Sequence, residues 1–335
     1  MAHVGGRAPD ADVTTYREAV ADGLARELRR DPAVVCLGED IGAAGGVFKT
    51  TQGLFEEFGP GRIWDTPISE QAILGLAMGA AMTGMRPVAE IMFSDFFAVC
   101  WDYLANEIPK MRYMTGGQVT VPLVVRTANG GGLGFGAQHS QATENWTLAI
   151  PGLKIAAPSN PADVVGLMAA AIRSEDPVIF FEHKGLFASK GPAAPDGHVV
   201  PLGQAAIARP GSDITIAALA ATVPMALAAA DRLAADGVSA EVIDLRCLVP
   251  LDMATVLASV GRTSRLLIVE ENPYQGGWGG TVASIVADEG FELLDAPIRR
   301  VAAASVPLPF ADALEQQVIP TVDSVVAGVQ ALLAY

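Results

Sequence analysis

The feature that most restricts the fold is an alternation of short apolar runs with helix-length amphipathic stretches along the whole chain. A helix predicted over 14–30 precedes the strand AVVCLG, and one over 69–84 precedes PVAEIMF. A third, over 95–114, precedes VPLVVRT, and a fourth, over 161–174, precedes PVIFFEH. VPLVVRT reads as fully apolar, as parallel strands covered on both faces do. Between 188 and 203, ASKGPAAPDGHVVPLG turns to glycine, proline and polar residues, the composition of a linker. The alternation then resumes with DITIAALA, a helix to 236 stopped by Gly237, AEVIDLR, and a helix from Asp252. RLLIVEE, a helix to Gly290, PIRRVAA and a last helix to about Leu333 complete it. Two β-α-β series predict an α/β protein with two doubly wound, open, mostly parallel sheets. The expected division is a first domain over 1–190, a linker over 191–203 and a second domain over 204–335.

A length of 335 residues fits two cores better than one. Hydrophobic residues make up 51% and charged residues 18%, which points to large subunit interfaces. A net charge of −15 argues against nucleic-acid binding, which needs a basic face, and would suit a basic protein partner. Cys36, Cys100 and Cys247 are scattered in apolar surroundings, as buried thiols of a reducing compartment are. The start, MAHVGGRAPDADVTTYREAV, has no apolar signal core. The apolar stretch 72–85 falls short of the roughly 18–20 residues of a membrane span. A cytoplasmic protein without a membrane segment is expected.

Two glycine loops follow strands. Neither ANGGGLGFGAQHSQ nor NPYQGGWGGTVASIV has the G-x-G-x-x-G spacing of a dinucleotide fold, and no phosphate-binding G-x-x-x-x-G-K-[ST] occurs. The first loop is uncharged and ends in His139, between Gln138 and Ser140. Glycines let a backbone approach a ligand or move over it, so this histidine is a candidate for chemistry.

DTPISEQAILGLAMGAAMTGMRP raises a sharper question, because Glu70 heads a run with no other charge until Arg86. Ser69 is a candidate N-cap, and Glu70 in the first turn suits the helix dipole. Yet an all-apolar helix with glycines at 75, 79 and 84 predicts burial on every side, its first turn included, at a subunit seam. Burial favours the protonated form of a carboxyl, which can then share its proton with a ligand nitrogen. The aminopyrimidine of thiamine diphosphate needs such a carboxyl to reach its imino form.

DTPISEQ, PVAEIMFSDF, GAQHSQ, PGLKIAAPSNPADVVGL, EVIDLR and PLPFADALEQQVIP, in this order over nearly the whole chain, resemble one family. It is the β subunit of the thiamine diphosphate-dependent decarboxylating component of 2-oxo acid dehydrogenase complexes. The resemblance implies a pyrimidine-binding domain followed by a transketolase C-terminal-like domain. It implies that Glu70 activates the cofactor, that Phe96 lies against the pyrimidine, and that His139 serves the bound intermediate and the incoming lipoyl group. Gln138 and Ser140 would be positioning residues, Gln138 on the cofactor side. The G-D-G motif that binds Mg²⁺ and diphosphate in such enzymes is missing, so no metal ligand is assigned to this chain. The resemblance therefore implies an α subunit that holds the Mg²⁺, a two-α two-β heterotetramer and a lipoyl-bearing acyltransferase core. Some members also bind K⁺ through backbone carbonyls near the segment matching APSNPAD.

The implied activity is cleavage of pyruvate, another 2-oxo acid or acetoin, with acyl transfer to the lipoyl carrier. MFSDFFAVCWDY, KMRYMTGG and FFEHKGLF lean towards the pyruvate and acetoin enzymes. Rival readings are acyl delivery to a biosynthetic carrier protein, a non-catalytic assembly paralogue, and a nicotinamide dehydrogenase.

Overall fold

The computed structural model describes residues 13–335; the first twelve residues of the N-terminal stretch read above for targeting lie outside them. A seven-stranded sheet runs Cys247–Val249, Lys154–Ala156, Val178–His183, Val124–Asn129, Arg86–Phe93, Val34–Gly38, Ile63–Asp65 from edge to edge. All its neighbours are parallel except the antiparallel Cys247–Val249 edge. A five-stranded sheet runs Arg299–Ala303, Leu266–Pro273, Ile214–Ala218, Ala240–Asp244, Ala206–Arg209, parallel except at the last. Cys247–Val249 follows the linker in sequence but joins the first sheet, stitching the two halves together.

The helices form where capping and periodicity place them. Thr15 caps Tyr16–Arg30 through a reciprocal capping box with Glu18, and Asn160 caps Pro161–Arg173. These two helices pack against each other on one face of the first sheet, around Tyr16, Leu24 and Met168. On the opposite face one apolar cluster runs through both sheets, joining Leu37, Leu74 and Phe181 to Ile243, Ile268 and Trp278. Val223, Val325 and Leu332 cover the far face of the second sheet.

Three expectations need correction. The helix over 95–114 is broken into a 3-10 turn Ser94–Ala98, a π segment Tyr103–Glu107 and one turn Met111–Met114. The Ile108 amide reaches back five residues to the Tyr103 carbonyl, and Pro109 has no N–H to continue the ladder. Secondly, Val124–Asn129 is fully buried but not fully apolar. Arg126 lies within it, paired with Glu90 and Glu182 and donating to the Thr50 hydroxyl. Thirdly, Glu70–Met82 is not buried all round. Ile73, Leu74, Ala77 and Met78 face the core, while Leu76 on the opposite side is 53% exposed. One chain has only one surface to offer this helix, so its second apolar face stays open.

Candidate active site

The candidate residues share one edge because parallel strands all point the same way. Glu39 follows Val34–Gly38, Glu70 follows Ile63–Asp65, and Phe96 follows Arg86–Phe93. The His139 loop follows Val124–Asn129, and Lys184 follows Val178–His183. This carboxyl edge, where the chain steps outward from Val34–Gly38 in both directions, is where open α/β sheets bind ligands.

Glu70 opens its helix and is 7% exposed, with Ser69 at the N-cap but giving no side-chain cap. Among the described residues its carboxylate makes no side-chain hydrogen bond. Two neighbours register its charge: Glu39 is held above the usual carboxylate range by burial and then by Glu70. Burial and then Glu70 likewise push the Cys100 thiol up to about 12. Gly75, one turn further along, admits the Tyr103 hydroxyl to 2.7 Å of where a Cβ would stand.

Phe96 and His139 are brought together. The half-buried imidazole stands edge-on to Phe93 at 4.8 Å and to Phe96 at 5.3 Å between ring centres. Cys100, whose thiol lies 3.7 Å from the Phe96 carbonyl oxygen, links this aromatic wall to the surroundings of Glu70. Gln138 is exposed and has no hydrogen bond among the described residues. Ser140 is fully buried, and its hydroxyl has no partner among the described residues.

The glycine loop is anchored, which the sequence does not announce. Glu271, from the second sheet, accepts from the Gly131 amide at 2.5 Å and meets the His183 ring at 2.7 Å. Glu315 accepts from Gly132 and Gly134, both at 2.9 Å. Gly130 sits at φ +84°, where a Cβ would collide with the His183 ring. Burial works against the charge of Glu271, but His183 and the Gly131 amide outweigh it and hold the carboxyl below its usual range. At the loop's far end Asp95 accepts from the Gln141 amide at 3.2 Å and from its side chain at 2.9 Å. Glu144 is held by Asn129 at 2.8 Å and by Asn272 at 2.9 Å, and burial raises its pKa. Among the described residues no group of three or more His, Cys, Asp or Glu is arranged to hold a metal ion.

The chain matches a transketolase pyrimidine-binding domain over residues 12–190 and a transketolase C-terminal domain over 203–325. The acetoin:2,6-dichlorophenolindophenol oxidoreductase subunit beta of Bacillus subtilis is 44% identical, covering 96% of this chain and 98% of that one. The family is therefore decided. The chain is a member of the β-subunit family of pyruvate and acetoin dehydrogenases.

Other β subunits of the family agree. The mitochondrial pyruvate dehydrogenase E1 component subunit beta-2 of Oryza sativa is 44% identical over 93% of this chain and 84% of its own. The 2-oxoisovalerate dehydrogenase subunit beta of Bacillus subtilis is 42% identical over 96% and 99%. A solved structure titled a split-gene transketolase, inactive beta4 tetramer, superposes with a TM-score of 0.79 at 26% identity, covering 95% of this chain and 98% of that one. The fold is thus the transketolase-like pair of α/β domains, and the family implies thiamine diphosphate. No helix among the described residues is long and apolar enough to cross a membrane.

Side chains that sequence reasoning missed are Glu39, Asp95, Lys184, Glu271 and Glu315. Glu39 and Glu271 had a readable signal, since each ends an apolar strand at its carboxyl end in LGED and IVEE. Glu315 had none, because it reaches the loop from 181 residues away in sequence.

Proposed function

We propose that this chain is the β subunit of a thiamine diphosphate-dependent dehydrogenase of pyruvate-type 2-oxo acids or acetoin. It acts with an α subunit and passes the acyl group to a lipoyl carrier. The observation that carries the reading is Glu70: a side chain 7% exposed at the carboxyl edge of the first sheet, without a hydrogen-bonding side chain among the described residues. Its carboxylate oxygens are left free by the side chains around them, so a ligand donor or ring nitrogen can complete their hydrogen bonding. A pyrimidine ring nitrogen is such a partner, and the Phe96 ring supplies a face for stacking. The residues present therefore fit the pyrimidine end of the cofactor.

Bound thiamine diphosphate supplies a carbon nucleophile and an electron sink for breaking the bond next to the substrate carbonyl. Glu70 holds a proton at the pyrimidine nitrogen. His139, edge-on to Phe93 and Phe96, carries protons or stabilises charge as the acyl group leaves. Gln138, exposed in the same loop, would help to position the cofactor. We assign the diphosphate and its Mg²⁺ to the α subunit of a two-α two-β assembly, and leave a K⁺ to the backbone carbonyls around Ala157–Asp163. The cellular setting is the cytoplasm.

The test is co-expression with the α chain and assay against 2-oxo acids and acetoin with a lipoyl acceptor. Glu70→Gln should fold normally and lose turnover by roughly 10²–10⁴-fold, since an amide cannot supply the proton. Near-normal turnover in that assembled variant defeats the assignment.

A further inference from the structure

Lys184 is a charged side chain that the proposed chemistry does not use and that sits where charges are costly. It opens the turn Lys184–Leu186 at the carboxyl end of Val178–His183 and is 2% exposed, with no hydrogen-bond partner for its ammonium among the described residues. Its nitrogen lies 5.4 Å from the centre of the Phe93 ring, within cation–π range. That ring is the one whose centre stands 4.8 Å from the His139 imidazole. Asp95, two residues beyond Phe93, is the acid that acts most strongly on Lys184. One Asp95 oxygen clamps Gln141 through two hydrogen bonds, and the other is buried without a partner among the described residues. Lys184 thus acts on both supports of His139, the ring beneath it and the carboxylate that fixes the loop two residues on.

We propose that Lys184 is a positioning residue for acyl transfer: its buried ammonium, over Phe93 and in the field of the Asp95 carboxylate, fixes the His139 imidazole and the Gln141 end of the glycine loop. The assignment rests on the reading of His139 given above. Four acids from four different elements act on Lys184. Asp95 belongs to the turn Ser94–Ala98, Glu144 to Glu144–Leu148, Glu271 to Leu266–Pro273 and Glu315 to Asp312–Glu315, with His183 beside it in the chain. Burial lowers the lysine to about 8 against the opposing pull of these four carboxylates. The ammonium is then lost at a lower pH than that of an ordinary lysine. A lysine that merely neutralised buried acids would change stability when replaced and leave the rate's pH dependence alone. A lysine that sets His139 changes both.

The experiment compares Lys184→Met, Lys184→Arg and His139→Ala in the assembled protein with its α partner, using a lipoyl acceptor. Lys184→Met should lower kcat about tenfold or more with the acyl-donor KM within about twofold, since misplacing a catalytic group costs rate before binding. The wild-type rate should fall on the alkaline side near the lysine's value of about 8. In Lys184→Arg that limb should move upward, because a guanidinium stays charged. Wild-type pH profiles in both Lys184 variants overturn the proposal, and so does a stability loss with no change in the profile. Should Lys184→Met fail to fold, the alkaline limb of Lys184→Arg decides alone. Loss of turnover in His139→Ala with unaffected Lys184 variants refutes this assignment only, whereas unimpaired His139→Ala refutes the reading of the site beneath it.

Discussion

The Glu315 clamp should hold the glycine loop closed against an opening that costs several kcal/mol. Glu315 is 2% exposed and spans the Gly132 and Gly134 amides with one oxygen each, at 2.9 Å. Bonds to a charged acceptor contribute about 1.5–3 kcal/mol apiece, and a neutral one about 1 kcal/mol. Glu315→Gln keeps the shape but leaves only one oxygen, and turns an amide NH₂ towards the second N–H. One bond survives at its neutral strength while the other becomes a donor facing a donor. The freed glycine amides can reach water, which softens the loss, so the loop should be released by about 2–4 kcal/mol. At about 1.4 kcal/mol per tenfold, that is a rise of roughly 30- to 700-fold in the loop's opening constant. Native-state hydrogen exchange across 130–136 measures it directly, with global unfolding followed in parallel. Exchange within about twofold of wild type would refute the clamp. Turnover with the α partner should fall as well, because His139 rides at the end of the same loop.

Two further perturbations test the surroundings. Gly130→Ala must adopt φ +84° and push its Cβ into His183, breaking the 2.7 Å contact with Glu271. The strained backbone and the uncompensated carboxylate should together cost about 3–5 kcal/mol in thermal unfolding, and a melting temperature near wild type would contradict it. Asp244 is buried between the domains, accepts from Ser159 at 2.5 Å, and is raised to about 6 by that burial. Its folded value lies above its ordinary one, so the folded state binds the extra proton. Stability should therefore fall as pH rises from about 4 to 6, by up to about 3 kcal/mol. Asp244→Asn should flatten that slope in melting curves; an unchanged slope would remove Asp244 as its source.

The sequence made the strand order's ingredients readable but not its edges. Val34–Gly38, Arg86–Phe93 and Val178–His183 are long apolar runs, and each lies where the alternation puts it. Lys154–Ala156 and Cys247–Val249 are three-residue strands, too short for any period, and they exist because a neighbouring sheet edge offers unpaired groups. The helix expected over 95–114 failed because the period of 3.6 cannot show a π turn. That turn is set by a tertiary fit, with the Tyr103 ring against Gly75. Within the site, Glu70 was legible because a lone charge beside apolar residues contradicts its surroundings. Glu315 was invisible because a carboxylate in DALEQQ looks like any solvated one, and only the fold brings it to the loop.

The electrostatics of the edge give the partner a physical task. Glu39, Glu70, Asp95, Glu144, Glu271 and Glu315 are all buried around it, against Lys184, His183 and His139. An acidic edge of this kind can meet a neutral or proton-sharing ring, but it repels a diphosphate, whose charge grows costlier as water is excluded. On the proposed function, the cofactor must then lie with its ring towards Glu70 and its diphosphate away from this chain. The cations that hold that diphosphate have to belong to whatever covers the open edge. The exposed side of Glu70–Met82, with Leu76 at 53%, lies on the same helix that carries the carboxyl. A subunit seated there would finish the burial of Glu70 and bring the missing positive charge in one step. The chain alone should accordingly bind thiamine diphosphate weakly.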